Sequence, residues 1–421
     1  ATATAQTALF DVFTSAVKGL APASGGGTTN FLRADGTWAA PSGGGGSVAL
    51  EDEGVSITTA LATLNVVGLG ARVTGTSSAV LTINGRVTAA PTTDQANWAP
   101  SGFDAGTGTI YMQPTTNCFL TGLAAGADGQ SVVLVNDSNF LMCVERESGA
   151  STAANRFDEG SFGSVWILPQ ESILARYSAT LSRWVVRNQS FDPRLANGRM
   201  ITFAPGSAAV PSVIGIGASA VQATASHNSP SATPTDDFQE YGNIQVTQAT
   251  ASGSSGVRSA LALFMRGNSA NRQGFFHNGL VRFTALGASG AVHAGMHSST
   301  GAITTQNAVQ TQCLLLGADG GMTNLRIFHG DAAAGTPVDL GANFPTPSGA
   351  AAYEYAFYAP PNTASVRYMV RRVDTRFVDQ GTLTTNIPAN TTALGQRFGT
   401  MVGATAVANT AQCAFLLTRG L

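Results

Sequence analysis

Charge is what this chain has least of. Asp, Glu, Lys and Arg make up 11% of its 421 residues, against roughly 25% in an ordinary soluble protein. Lys18 is the sole lysine, and the formal net charge is −2. No basic stripe is available to follow a phosphate backbone, which argues against a nucleic-acid partner. Long apolar runs are missing too. Nothing approaches the roughly 18 residues of a membrane-spanning helix, and no charged segment leads into a cleavable apolar one. The Ala-Thr-Ala start fits removal of an initiator Met, so assembly in a cytoplasm without membrane insertion is expected.

Cysteine is scarce as well. Cys118, Cys143, Cys313 and Cys413 stand far apart in apolar settings such as QCLLLG and QCAFLL. There is no C-x-x-C and no histidine at zinc spacing beside them, which predicts four buried free thiols. Strand–helix alternation is lacking, which excludes Rossmann and TIM-barrel architectures.

What is present is glycine, 49 residues of it, and an apolar fraction of 43%. That fraction suffices for a core, so global disorder is not expected. So poorly charged a surface must be Thr/Ser/Asn-rich β-structure or be covered by other subunits.

Residues 5–20, AQTALFDVFTSAVKGL, carry the one helical pattern. Leu9, Phe13, Val17 and Leu20 follow a 3/4 spacing, and Phe10 and Val12 widen the stripe. Thr7 is placed to cap its start, Lys18 sits in its last turn, and Gly19 stops it. Four turns are marginal alone in water, so this helix needs a partner surface. It is separated from everything downstream by a segment framed with glycine, SGGGTTNFLRADGTWAAPSGGGG, residues 24–46. A free tether gains nothing from Phe31, Leu32 and Trp38, or from an Arg33/Asp35 pair. Either these residues pack on other chains or on a partner, or they form a small core within the chain.

Residues 47–87 read as short strands around Gly and Ser/Thr turns, with too little apolar bulk to fold alone. Residues 88–190 show β-rich runs broken every 8–12 residues by turn signals, which predicts a sandwich-like β-module. Residues 191–203 read as a connector. From 204 to 421 the same rhythm continues through GLVRFTALG, TQCLLLGA, TNLRIFHG, YEYAFYAP, SVRYMVRRVD and QCAFLLTR. The alternation in YEYAFY and VRYMVRR predicts antiparallel strands with one wet face bearing Glu354, Arg367 and Arg371.

The chemistry-bearing residues are few. Asp374 and Asp379 flank TRFV, and Asp331 and Asp339 flank a Gly/Pro loop. A glycan-cleaving enzyme would need such carboxylates paired across a groove, but Asp is equally favoured in turns. No long run of repeated strand turns, as in a β-helical spike, is evident. HAGMH holds His293 and His297 on one side of a strand or loop, either as metal ligands or as hydrogen-bonded side chains. GASGAVHAG lacks the Lys-Ser/Thr of a phosphate loop. Phe275, Phe276, Tyr353 and Tyr358 are the aromatic candidates for glycan contact, although alternation directs at least half of such residues into the core.

Several stretches are familiar in combination. GLAPASGGGTTNFLRADGTWAAP resembles an anchor segment of tailed-bacteriophage fibre and appendage proteins. LEDEGVSITTALATLNVVGLGARVT is similar to a short module that follows it in such proteins. TGLAAGADGQSVVLVND, STAANRF and RYSATLSRWVVRN resemble a phage β-module, and residues 279–395 resemble a jelly-roll-type domain at fibre ends. The resemblance implies an elongated, all-β homotrimer on the virion surface, without cofactor, metal or enzymatic activity. Residues 1–23 would be the helical virion anchor and 24–46 the linker. Residues 47–87 would form a small intertwined trimeric module, 88–190 a β-module, and 204–421 a jelly-roll-type β-sandwich. Leu9, Phe10, Phe13, Val17, Leu20, Phe31, Leu32, Arg33, Asp35 and Trp38 would seat the anchor on a tail or capsid protein. The C-terminal domain would then bind a host surface glycan or receptor. Tail fibre and head fibre both fit, and a depolymerising spike is the remaining alternative.

Burying one Phe or Leu side chain contributes about 1.5–3 kcal/mol, and a carboxylate put in its place adds a desolvation cost. Phe10→Asp with Phe13→Asp is therefore expected to give a soluble protein that no longer loads onto particles. Complementing a deletion phage and blotting purified particles checks it; loading at wild-type level would reject the helix as anchor.

Overall fold

The computed structural model describes residues 85–158, 164–187 and 351–421 without a break, most of 237–347, and isolated strands between residues 31 and 83 and between 200 and 228. The 5–20 helix lies outside the described residues, as do Leu9, Phe10, Phe13, Val17, Leu20, Arg33 and Asp35. By its internal contacts the chain divides into two compact units, Ala1–Gly68 and Leu69–Leu421.

The chain is all-β: its described elements are strands and two single-turn 3-10 helices. No helix among the described residues is long and apolar enough to cross a membrane. In the first unit, Phe31–Leu32 pairs antiparallel with Trp38–Ala39, placing Leu32 opposite Trp38. Trp38 is half-buried in this pair. Val48–Asp52 and Val55–Leu61 form a second antiparallel pair.

In the second unit the first module is wound rather than meandering. Gly85–Ala89, Thr107–Met112 and Ser131–Asn136 lie parallel in one sheet, and Cys118–Leu120 lies parallel to Met142–Val144 in another. Ile110 faces Leu134, and Cys118 faces Met142, each partner 24 residues further along. The chain therefore alternates between two sheets in successive parallel coils. Within each coil apolar side chains alternate inward, so Val87, Ile110, Leu134, Leu120 and Val144 share one core. Asn136 holds a bend between the sheets, its buried amide donating to Phe140 O and Ile167 O at 2.8 Å each. Antiparallel strands close the last coil: Ser172–Ser178 on Ser131–Asn136, and Val165–Ile167 on Met142–Val144.

The C-terminal residues form two facing antiparallel sheets. The strands Phe275–Ala285, Ala352–Ala359, Val366–Arg372 and Asn409–Gly420 belong to the first. Ser254–Ser259, Gly395–Val402, Gly290–His297 and Cys313–Asp319 belong to the second. Side chains of both sheets, among them Val281, Tyr355, Phe357, Met296, Leu316 and Phe398, make a single core. Period-2 alternation sorts each strand: Phe275 faces this core and Phe276 faces away. All four cysteines are free and buried.

The outward face of the first sheet corrects one expectation. It is not wet, because the wound module covers it. Phe276, Ala356, Tyr358 and Met369 pack there against Phe119, Leu141, Cys143, Trp166 and Leu168. Glu354 and Arg371 sit inside this joint at 5% and 3% exposure. Arg371 bridges Glu354, with Nη2 donating to Oε2 at 2.6 Å, and Glu145 of the wound module. Trp166 Nε1–H donates to Glu354 Oε1 at 3.1 Å, and Arg376 adds a second cation on Glu145. Arg367 is half-buried with its guanidinium over the Phe140 ring. At the rim Arg419 donates to Glu171 at 2.6 Å.

Removing one member of a buried ion cluster leaves its partners uncompensated, at a cost of about 3–5 kcal/mol. Arg371→Met should lose that much stability in urea. Glu145→Gln, Glu354→Gln and Arg371→Met combined should lose less than Arg371→Met alone. Additive losses would show that the charges do not act as a unit.

Candidate functional site

The aromatic candidates are not a platform for sugar. Phe275 and Tyr353 lie in the sandwich core, and Phe276 and Tyr358 lie in the joint with the wound module. The four acids are occupied separately. Asp374 accepts from Arg372 at 2.7 and 2.9 Å in the hairpin that contains TRF. Asp379 accepts from the Tyr368 hydroxyl at 3.1 Å. Asp331 accepts from Ala333 N–H, and Asp339 from Asn324, Arg326 and Gly341. These are turn and ion-pair roles.

His293 and His297 lie on the Gly290–His297 strand, on the sheet face turned away from the core. Four residues along a strand separate them by about 13 Å. His297 Nδ1 accepts from Ser299 N–H at 2.8 Å. Among the described residues no three metal-ligating side chains converge.

His293 has a different setting. Cross-strand register aligns Gly256 with Gly399, Gly399 with His293, and His293 with Gly317. Directly opposed residues share a sheet face, so three glycines and one histidine form a row across four strands. A row without side chains is a trough. Its glycines cannot be replaced freely: a Cβ on Gly256 would stand 2.4 Å from Phe398 O, and one on Gly399 2.7 Å from Ser255 O.

The flanking rows supply polar groups. On one side Ser254 is aligned with Met401. On the other Arg258 is opposite Arg397, and like charges directly opposed are destabilising. Arg397 Nε–H donates to His293 Nε2 at 3.3 Å, and Nη1 donates to Gly301 O at 3.0 Å. The loop after His297 thus passes over Arg397, beside a partly enclosed pocket lined by Ser254, Gly256, His293, Arg397 and Gly399. Ile303 and Val309, beyond that point, pack on Cys313, Leu315 and Met401 of the same face.

Electrostatics here are one-sided. Burial first, then the neighbouring Arg397 and His297, hold the His293 pKa well below the usual imidazole value. Burial and Arg258 bring the Arg397 pKa down to about 10. His293 is therefore neutral at pH 7, and Arg397 is a cation. Because His293 Nε2 accepts from Arg397, the ring proton sits on Nδ1. Among the described residues that Nδ1 is buried without a hydrogen-bond partner, as are Ser254 Oγ and Arg258 Nε.

A second buried histidine has its partners. His277 lies inside the sandwich, with Nδ1 at 2.7 Å from Thr418 Oγ1 and Nε2 at 3.0 Å from the Tyr355 hydroxyl. Gln396 of the facing sheet donates to Thr418 Oγ1 at 2.8 Å. This polar knot crosses the core and is sealed from solvent, so it can hold the sheets in register but cannot receive a substrate.

The trough escaped sequence reading because its strands are full of glycine. Only the HAGMH spacing pointed to it.

No family model matches the chain, and no curated protein does. Solved structures overlap it in part. A protein of unknown function from Shewanella oneidensis MR-1 is 14% identical, with a TM-score of 0.36, over 52% of this chain and 85% of that one. Peanut lectin with a nine-residue peptide is 11% identical, with a TM-score of 0.34, over 53% and 97%. A carbohydrate esterase from the Shiga toxin-encoding bacteriophage phi24B is 16% identical, with a TM-score of 0.31, over 52% and 96%. Overlaps this loose leave function to the residues of the chain itself.

Burial brings the His277 pKa down to about 3, while an unfolded imidazole titrates near about 6.5. Between those values the unfolded chain binds the extra proton, so stability falls as pH drops, by about 1.4 kcal/mol per unit. Asp319 opposes this. Burial raises it to about 6, against Gln310 and Arg326, so its folded form gains as pH falls from 6 toward 4. His277→Gln should therefore flatten the acid side of the stability profile relative to wild type. Urea midpoints between pH 7 and 4 measure it; parallel profiles would reject the buried-imidazole account.

Proposed function

We propose that this chain is a structural fibre protein of a tailed-bacteriophage virion. In this reading it is a homotrimer, seated by its N-terminal segment on the tail and presenting its C-terminal sandwich to a host surface glycan. The observation that carries the reading is the order of parts. An amphipathic stripe at residues 5–20 is followed by a glycine-framed segment with FLRADGTW, and then by β-structure to the C-terminus. The joint through Arg371 supports it, since a stalk module fused to a terminal domain by buried charge transmits force without hinging.

The protein is read as a binder and not an enzyme. Asp331, Asp339, Asp374 and Asp379 are each engaged in turns or pairs that a catalytic carboxylate would have to give up.

Cryo-EM of particles carrying a C-terminal tag tests the location. Tagged density at the tail tip is the expected result, with purified protein competing for adsorption to host cells and migrating as a trimer in native mass spectrometry. Density on the capsid would reassign it to a head fibre. Absence from particles would overturn the virion reading, and steady release of oligosaccharide from host polysaccharide would replace the binder with a depolymerase.

A further inference from the structure

We infer that the trough of Gly256, Gly399, His293 and Gly317 receives an oxyanion substituent of a sugar, a carboxylate or a phosphate, between Arg397 and Ser254. The inference rests on the reading of the sandwich as the glycan-facing domain. The argument for the anion is independent of that reading.

Three observations converge. Two guanidiniums, Arg258 and Arg397, face each other across neighbouring strands, and among the described residues neither meets a carboxylate. An imidazole N–H and a serine hydroxyl, both on residues at most 3% exposed, are left beside them without partners among the described residues. Buried polar groups without partners are uncommon, and each calls for an occupant. The third observation is the floor. Side chains are absent from the row on either side of His293, where Gly399 and Gly317 leave the backbone bare.

The donors define the guest. Arginine, an Nδ1–H and a hydroxyl all give hydrogen bonds, and nothing among them neutralises a cation. A metal ion is disfavoured by the two arginines. A neutral sugar hydroxyl would satisfy one donor and leave the positive charge uncompensated. An oxyanion satisfies the donors and the charge together, and guanidinium pairs with it in fixed geometry. The pocket beside His293 and Arg397 is far smaller than a pyranose ring, so the anion projects from a ring held outside.

The test is calorimetric titration of the full chain with glucuronate, glucose 6-phosphate, glucose and inorganic phosphate. Glucuronate or glucose 6-phosphate should bind at least 10-fold more tightly than glucose, and whichever binds identifies the substituent. Arg258→Gln and Ser254→Ala, each on the rim row rather than the floor, should weaken that binding about 10-fold with a thermal midpoint no lower than that of the wild type. If one variant does not fold, the other and the glucose comparison still decide. Inorganic phosphate binding as tightly as the sugars would make this a free-anion site and overturn the glycan assignment. Equal binding of glucose, no binding of any probe, or variants that bind as wild type would overturn the proposal outright. Failure of the protein to appear on virions would leave a positive titration standing, so the two readings fail separately.

Discussion

Arg371 joins what would otherwise be two bodies. Its guanidinium lies between Glu145 of the wound module and Glu354 of the sandwich, all three nearly inaccessible to water. Alone, either carboxylate would be expensive to bury. Together with Arg376 the four charges cancel, and the surrounding apolar surface of Phe119, Trp166, Phe276 and Met369 can then close around them. An ion cluster of this kind adds little net stability against an apolar alternative. What it adds is a single permitted geometry, because the Arg371 and Trp166 donors must meet their oxygens at once. The burial of Phe276, Tyr358 and Met369 on the outward face of the first sheet follows from that docking.

Much of this was legible in the sequence. The strands in GLVRFTALG, TQCLLLGA, YEYAFYAP, SVRYMVRRVD and QCAFLLTR all form, because β-branched and aromatic residues at alternate positions leave one consistent face for the core. The same alternation misled about the other face. Glu354 and Arg371 have the polarity of solvent-facing residues, and one chain segment cannot reveal that a complementary charge arrives from Glu145, more than 200 residues earlier. Parallel winding of the module was hidden for a related reason. Its coils share spacing but no motif, so Val87, Ile110 and Leu134 come into register without any repeated word in the sequence.

The candidate site was least legible. Gly290–His297 and Gly395–Val402 are central strands of their sheet, yet the glycines around HAGMH fit a loop as well as a strand. Glycine weakens a strand, so its placement at opposed positions on adjacent strands is tolerated only where neighbours on both sides hold the ladder. The same feature that obscured the strands makes the trough.

The winding of the first module has a consequence for how such proteins vary in length. Antiparallel strands cap one end of the coil stack, while Gly85–Ala89 lies at the opposite edge of its sheet. The sandwich packs along the face of the other sheet, on Phe119, Cys143 and Trp166 of its three strands. Extra coils of about two dozen residues can therefore be inherited or lost only at the uncapped edge, each new turn using the existing edge strand as its template. Duplication of a coil would widen this sheet at its Gly85–Ala89 edge and leave the antiparallel cap as it is.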